Sequence, residues 1–332
     1  MKRFVYVFFL CLGAVLLCVG CGEQAYTRQG FLLDTVVRIT LYDQDDETMD
    51  ACFALIAECE AALSRTDPES ELAQLNARLI DTVSDETAEL IADALAIAAL
   101  TDGAFDPTVG RLCDLWNFSA VSPTLPDAGE IADALVSVGY DGVHLDGSRV
   151  WFDNSQTMLD LGAIAKGEIA DRVCVLLRER GVERAIINLG GNVVVLGGTE
   201  EDPYRVGVQD PASPTGNSLL SLAVTDATVV TSGIYNRGFT VDGQYYHHIL
   251  DPHTGYPVEN TLASVTIIGP SSRQADALST ACMVLGETDA MALIEATEGV
   301  DAILITRLGE VLFSAGVKEK YDVQFLREEG SD

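Results

Sequence analysis

Three short glycine turns, each between two apolar runs, restrict this chain more than any other feature. Val143 to Phe152 turns at Asp146-Gly147. Ala185 to Leu189 and Val193 to Leu196 flank Gly190-Gly191, and Ala302 to Thr306 and Val311 to Phe313 close around Gly309-Glu310. Runs joined this tightly form antiparallel hairpins, because a parallel pair needs a long crossover. Further strand-like runs are Phe31 to Tyr42, Tyr204 to Val208, Leu219 to Val224, Phe239 to Val241 and Leu262 to Ile268. Helical spacing of apolar residues covers Thr48 to Leu63, Glu86 to Leu100, Asp127 to Val138, Ala163 to Arg180, Ser272 to Val284 and Ala290 to Glu298. Helices fall between hairpins without regular strand-helix-strand alternation. The expected class is therefore α+β, with mixed or antiparallel sheets and packed helices, and not a doubly wound sheet.

The N-terminus reads as an export signal. Met1-Lys2-Arg3 is a positive start, Phe4 to Gly20 is an unbroken apolar run, and Cys21 follows. Val19-Gly20-Cys21 is like a bacterial lipobox, with Cys21 the lipidated residue, although Cys18 stands where Leu is usual. The expectation is an extracytoplasmic protein tied to the bacterial cell membrane by lipid. The chain then divides into a leader (1–20), a tether (21–30), one domain (31–318) and a charged tail (319–332). Removing Lys2 and Arg3 leaves 18 basic against 51 acidic residues, a net charge of −33. So acidic a chain is unsuited to nucleic acid or to an anionic membrane surface. An anionic ligand needs local help from a metal, a lysine or a helix start. Cys52, Cys59, Cys113, Cys174 and Cys282 form no CxxC pair and no zinc-like spacing, and read as buried free thiols.

Chemistry concentrates in two segments. His247 to Gly255 holds three of the four histidines and an Asp251-Pro252 turn. Ala275 to Ala281 sets Asp276 and Thr280 four residues apart, on one face of a helix. Hard oxygen ligands so placed suit Mg²⁺, which usually serves a phosphate. A third segment, Asp160 to Gly167, opens the Ala163 to Arg180 helix, where free N–H groups and Lys166 make an anion site. Each segment alone has a plainer reading: a tight turn with a solvated lysine, a Thr bonded to its own backbone, a structural histidine. Together they suit an enzyme of phosphate esters or anhydrides.

Their joint occurrence, in this order, resembles the FAD:protein FMN transferase (ApbE) family of extracytoplasmic flavin transferases. The matching strings are Leu33-Asp34-Thr35, Ser70-Glu71 with Asn76, Gly103 to Thr108, Asp160 to Gly167, Ile187 to Asn192, Thr231-Ser232-Gly233, His248 to Gly255 and Ala275 to Thr280. They span about residues 26 to 318. The resemblance implies an ApbE-like fold and transfer of FMN from FAD to a Ser or Thr hydroxyl of a target protein, releasing AMP. It implies that Leu33, Ser70, Ala104, Phe105, Asp106, Asp160, Lys166 and Leu250 contact FAD, partly through backbone. It implies Mg²⁺ on the Ala163 carbonyl, Asp276 and Thr280, with Ser279 a weaker candidate. His248 would be the base or a supporting group, with Asp251 beside it. Leu33 stands where Met is common, and Glu168 where an aromatic is common. The rival readings are an FAD pyrophosphatase giving FMN and AMP, a non-catalytic flavin-binding lipoprotein, and a solute-binding lipoprotein.

Overall fold

The computed structural model describes residues 25–42, 46–213 and 216–326. The leader, Cys21 and the first part of the expected tether (21–24) lie outside them. In chain order the elements are β1 (Ala25–Leu32), β2 (Thr35–Tyr42), α1 (Asp46–Leu63), α2 (Glu71–Asn76), α3 (Asp85–Leu100), α4 (Gly110–Trp116) and α5 (Ala128–Leu135). Then come β3 (Val143–Asp146), β4 (Arg149–Phe152), α6 (Gly162–Glu179), β5 (Ala185–Leu189), β6 (Asn192–Leu196), β7 (Tyr204–Gln209), β8 (Ser218–Val224) and β9 (Ala227–Gly233). The chain continues through β10 (Gly238–Val241), β11 (Gln244–His247), β12 (Leu262–Gly269), α7 (Ser272–Ala296), β13 (Asp301–Thr306), β14 (Val311–Phe313), α8 (Ala315–Lys320) and β15 (Val323–Phe325).

An eight-stranded sheet, in the order β1-β2-β5-β6-β9-β12-β13-β14, forms the frame, and every pair in it is antiparallel. The α+β expectation holds, and so do all three hairpins. β12 and β13 are buried at every residue, which explains their continuous apolar sequence. Val265, Ile267, Ala302 and Leu304 pack under α7, while Ile268, Ile303 and Ile305 pack against the second sheet, β15-β8-β7. α1 and α6 cover the β2-β5-β6 end through Ile56, Ile169 and Val173.

The structure departs from expectation in three places. Phe31 to Tyr42 is not one strand but the end of a hairpin turning at Leu33-Asp34. Residues 25–30, expected as tether, are the start of β1. The tail expected from 319 carries structure: α8 runs to Lys320, and β15 pairs with β8 through Val323, Gln324 and Phe325. The two helices expected over 272–298 are both present, contiguous as α7 across a kink at Gly286, whose φ is +78°.

Candidate active site at one end of the sheet

Strand register brings the sequence-selected strings to one edge. Leu32 pairs with Thr35, Leu189 with Asn192, Val37 with Leu189, Asn192 with Val230, and Ser264 with Gly233. The β1–β2 turn, the β5–β6 turn and the end of β9 therefore share one end of the sheet. They also touch: a Cβ on Gly190 would sit 2.3 Å from the Thr35 hydroxyl. Leu33 and Asp34 hold φ of +56° and +54°, a strained conformation for a leucine. The Leu33 amide donates to Glu60 Oε1 at 2.7 Å, and the Asp34 carbonyl accepts from Arg237 at 3.1 Å.

α6 and α7 meet over this edge. Gly167 has no room for a side chain, since a Cβ there would lie 2.3 Å from the Ser272 carbonyl oxygen. Asp171 of α6 accepts from the Ser272 and Arg273 amides at 2.9 and 3.0 Å and so caps α7. This contact buries Asp276 to 3% exposure. Lys166 Nζ lies 3.3 Å from both of its carboxylate oxygens and 3.1 Å from the Gly162 carbonyl. The Gly167 amide donates to Asp276 Oδ2 at 3.0 Å. In a regular helix that amide belongs to the Ala163 carbonyl. Burial raises the Asp276 pKa, and Lys166 and the Gly167 amide oppose the rise.

Ser279 and Thr280 face the same place with different freedom. Ser279 is fully buried and bonded to Ser232 Oγ at 2.7 Å and the Asp276 carbonyl at 2.8 Å. Thr280 reaches Ser232 and the Asp276 carbonyl only at 3.4 and 3.5 Å, so its hydroxyl is the more available donor atom.

His248 follows directly on β11. Its backbone amide and its Nδ1 both point to the Arg237 carbonyl, at 3.1 and 3.2 Å. A carbonyl only accepts, so Nδ1 carries the proton and Nε2 keeps its lone pair. Burial, then the positive charges of Arg237 and Lys166, push the His248 pKa down to about 4. Of these influences on His248, that of Lys166 is the smallest. His247 faces the other way, as alternation in an extended segment requires. It is 3% exposed and bonds the Val258 carbonyl at 3.1 Å through Nε2.

Other expected residues are occupied with structure. The Asp251 carboxylate accepts from the His253 amide at 2.9 Å and the Thr254 hydroxyl at 3.1 Å. It holds the turn, and no hydrogen bond links it to His248. Ser70 Oγ caps α2 through the Ala73 amide and donates to the Ser64 carbonyl. Asp106 accepts from Thr108 and from the Tyr140 amide, and burial raises its pKa. Ala104, Phe105 and Leu250 are buried apolar contacts. Asp160 accepts from Arg65 and from the Gly162 amide, both at 2.8 Å. The Ile164 and Ala165 amides bond Leu161. The helix start is therefore less open to an anion than expected, because its own loop has capped it.

Sequence reasoning assigned no role to Arg237, Arg65 or Asn192, and none to Ser232 within its quoted string. Ser232 was reachable only by recognising β9 as a strand ending here. Glu168 pairs with Arg273 at 3.3 Å. No group of three or more His, Cys, Asp or Glu residues is placed to share a metal among the described residues. A metal here would rest on one carboxylate and neutral oxygens.

The ApbE family model matches residues 33–304. The chain is 34% identical to the FAD:protein FMN transferase of Treponema pallidum, over 95% of this chain and 97% of that protein. It is 36% identical to one from Klebsiella pneumoniae, over 88% and 93%. Among solved structures it is similar to the ApbE protein of Thermotoga maritima, with TM-score 0.82, 35% identity and 92% of this chain and 100% of that one covered. It is also similar to the flavin transferase ApbE of Vibrio cholerae, with TM-score 0.78, 28% identity and coverage of 89% and 99%.

Proposed function

The chain belongs to the ApbE family of FAD:protein FMN transferases, and from that premise we propose that it is a lipid-anchored enzyme that uses Mg²⁺ to move FMN from FAD to a Ser or Thr hydroxyl of an extracytoplasmic protein. The observation that carries the reading is the buried Asp276, held by the Gly167 amide and by Lys166, a cation whose charge also reaches His248.

The donors suit Mg²⁺. Asp276, the Thr280 hydroxyl and the Ala163 carbonyl are hard oxygens with one charge among them. Such a set leaves room for the waters and substrate phosphates that Mg²⁺ keeps. The Gly167 amide, shared with Asp276, leaves the Ala163 carbonyl less than its full helical partner. Asp276 already balances a cation, Lys166. When bound, the metal neutralises pyrophosphate charge.

The chain's own groups supply the rest. The acceptor hydroxyl oxygen forms a bond to the phosphorus of the FMN half. The bond from that phosphorus to the bridging oxygen breaks, and AMP leaves with the bond's electrons. His248 Nε2 takes the hydroxyl proton, since its lone pair is free and Nδ1 is held by Arg237. Its low pKa keeps it neutral before FAD binds, and the diphosphate charge of FAD raises it toward useful basicity. Lys166 faces the same diphosphate. Ser70, Asp106 and Asp160 shape the FAD cleft mainly through backbone, because their side chains are engaged. Leu33, only partly buried, offers it apolar surface, while Ala104, Phe105 and Leu250, buried, would meet it chiefly through backbone.

Support for the anchor is the leader and Cys21. α7, the one described helix long and apolar enough to span a membrane, is committed to the core through Ala275, Leu278 and Cys282. The test is incubation with FAD, Mg²⁺ and an acceptor domain bearing a candidate Thr. The expected result is an intact-mass gain of one FMN with matching AMP release. AMP and free FMN without any mass gain, for every acceptor tried, would make it a pyrophosphatase.

A further inference from the structure

Asn192 opens β6 at the site edge and is 1% exposed. Its Oδ1 accepts a hydrogen bond from Ser272 Oγ at 2.7 Å. The opposite atom, Nδ2, is buried and has no hydrogen-bond partner. A buried unsatisfied donor is costly, so its retention needs a reason. Asp276 lies one helical turn beyond Ser272, on the same face of α7. The Ser272 hydroxyl can donate or accept, so the orientation of the amide is set by the Asp276 side. Reversing it would turn Oδ1 toward the Asp276 carboxylate, two acceptors face to face. The Asn192 amide is near enough to oppose the burial that raises the Asp276 pKa, yet no hydrogen bond closes between them.

Asp276 is at present shared between Lys166 and the Gly167 amide. We propose that Asn192 is a positioning residue for Asp276: its spare Nδ2–H holds one carboxylate oxygen so that the other is presented to the metal. The inference rests on the reading of Asp276 as a Mg²⁺ ligand. Carboxylates that bind metals are themselves steered by such donors, whose loss typically weakens metal binding by about 10–100-fold. The donor is only weakly engaged while Lys166 neutralises Asp276, and gains a full partner when the metal takes that share. This accounts for an unsatisfied atom at the one place where the charge balance must change.

The experiment measures Mn²⁺ binding to the full chain in detergent by electron paramagnetic resonance, with FAD present, for wild type and Asn192→Leu. The variant should bind Mn²⁺ about 10–100-fold more weakly, while FAD affinity in EDTA stays within about twofold. In an Asp276→Ala background the Asn192 substitution should cost nothing further for Mn²⁺. Equal Mn²⁺ affinity in wild type and Asn192→Leu overturns the proposal, as does an equal loss of FAD affinity in EDTA, which marks a merely structural residue. Absence of Mn²⁺ binding by wild type overturns the metal reading itself, and the proposal with it. A second measurement needs no variant. In wild-type chain with ¹⁵N-labelled asparagine, a side-chain amide proton of Asn192 should move downfield on adding Mg²⁺ to the FAD complex, but not on adding FAD in EDTA. No such movement overturns the proposal.

Discussion

The two halves of the site are built differently. The Lys166–Asp276 half sits where two long helices touch at Gly167, with Asp171 of α6 capping α7. Its polar groups are fixed by the packing of the core. The His248 half hangs on β10 and β11, a two-stranded sheet apart from the main one. That hairpin rests through its Phe239 and Tyr246 on Phe118 and Trp116, and the loop beyond it is tied down by Trp116 Nε1 to the Gly255 carbonyl at 2.8 Å. One half is rigid because it is buried. The other is held by a few named bonds. On the proposed function, the charge that holds the metal is in the first, and the group that meets the acceptor hydroxyl is in the second.

The largest expected effect breaks the buried half. Asp276→Ala removes the only side-chain charge among the proposed ligands, so Mg²⁺-dependent AMP release should vanish. Folding should persist, because Lys166 is partly exposed and keeps the Gly162 carbonyl. Thr280→Ala should be milder, since water replaces a neutral ligand. Normal FAD turnover by the Asp276 variant with Mg²⁺ would remove the metal assignment.

Next is His248→Ala. A base acts on the transition state and little on ground-state binding. FAD affinity should stay within a few-fold, while FMN transfer at saturating FAD falls by roughly 10²–10⁴-fold. His247 and His253 are the controls. His247 faces Val258, and His253 is bound to the Asp251 turn, so replacing either should cost much less transfer. Equal transfer by wild type and His248→Ala would end the base assignment.

Gly167→Ala sharpens the contrast through packing. The added methyl meets Ser272 backbone, which a flexible side chain cannot relieve. Overpacking of this kind costs about 1–3 kcal/mol. It should also pull the Gly167 amide from Asp276, lowering metal affinity more than FAD affinity in EDTA. Gly181→Ala, where nothing lies within 4 Å but φ is +74°, is the comparison: it should lose stability without touching metal binding. The two are read by thermal unfolding and Mn²⁺ titration together.

Legibility from sequence divides along the same line. α6 and α7 were readable because apolar spacing marks a helix buried on one face, and Gly181 stops α6. The contact between them was not, since nothing local places Lys166 against Asp276. The first hairpin stayed hidden because its turn is Leu33-Asp34, with positive φ on residues that rarely adopt it. β9 went unread although it is central. It follows β8 after Thr225-Asp226, as a hairpin partner would, but joins the other sheet. β15 is three residues in a charged stretch, and its order comes from pairing with β8. His248 was found by motif, while its tautomer depended on the distant Arg237 carbonyl.

The smallest expected effect is in pH dependence, and it separates His247 from His248. Both have folded pKa values near 4, against an ordinary 6.5, and burial is the main cause for each. Below about pH 6.5 the unfolded chain takes up protons that the folded chain refuses, so stability is full above that value and falls as pH drops toward 4. His247 is enclosed in the core with its Nε2 on the Val258 carbonyl, so its share belongs to the protein with or without ligand. His248 faces the site, and bound FAD places negative charge beside it, which favours the imidazolium. FAD should therefore shrink the acid-side loss due to His248 and leave that due to His247 unchanged. Unfolding midpoints at pH 7 and pH 5, with and without FAD, should show His247→Gln flattening the slope in both states and His248→Gln flattening it only without FAD. If His248→Gln flattens the slope equally with FAD bound, the diphosphate does not lie beside His248, and the proton-accepting end of the site must be placed elsewhere.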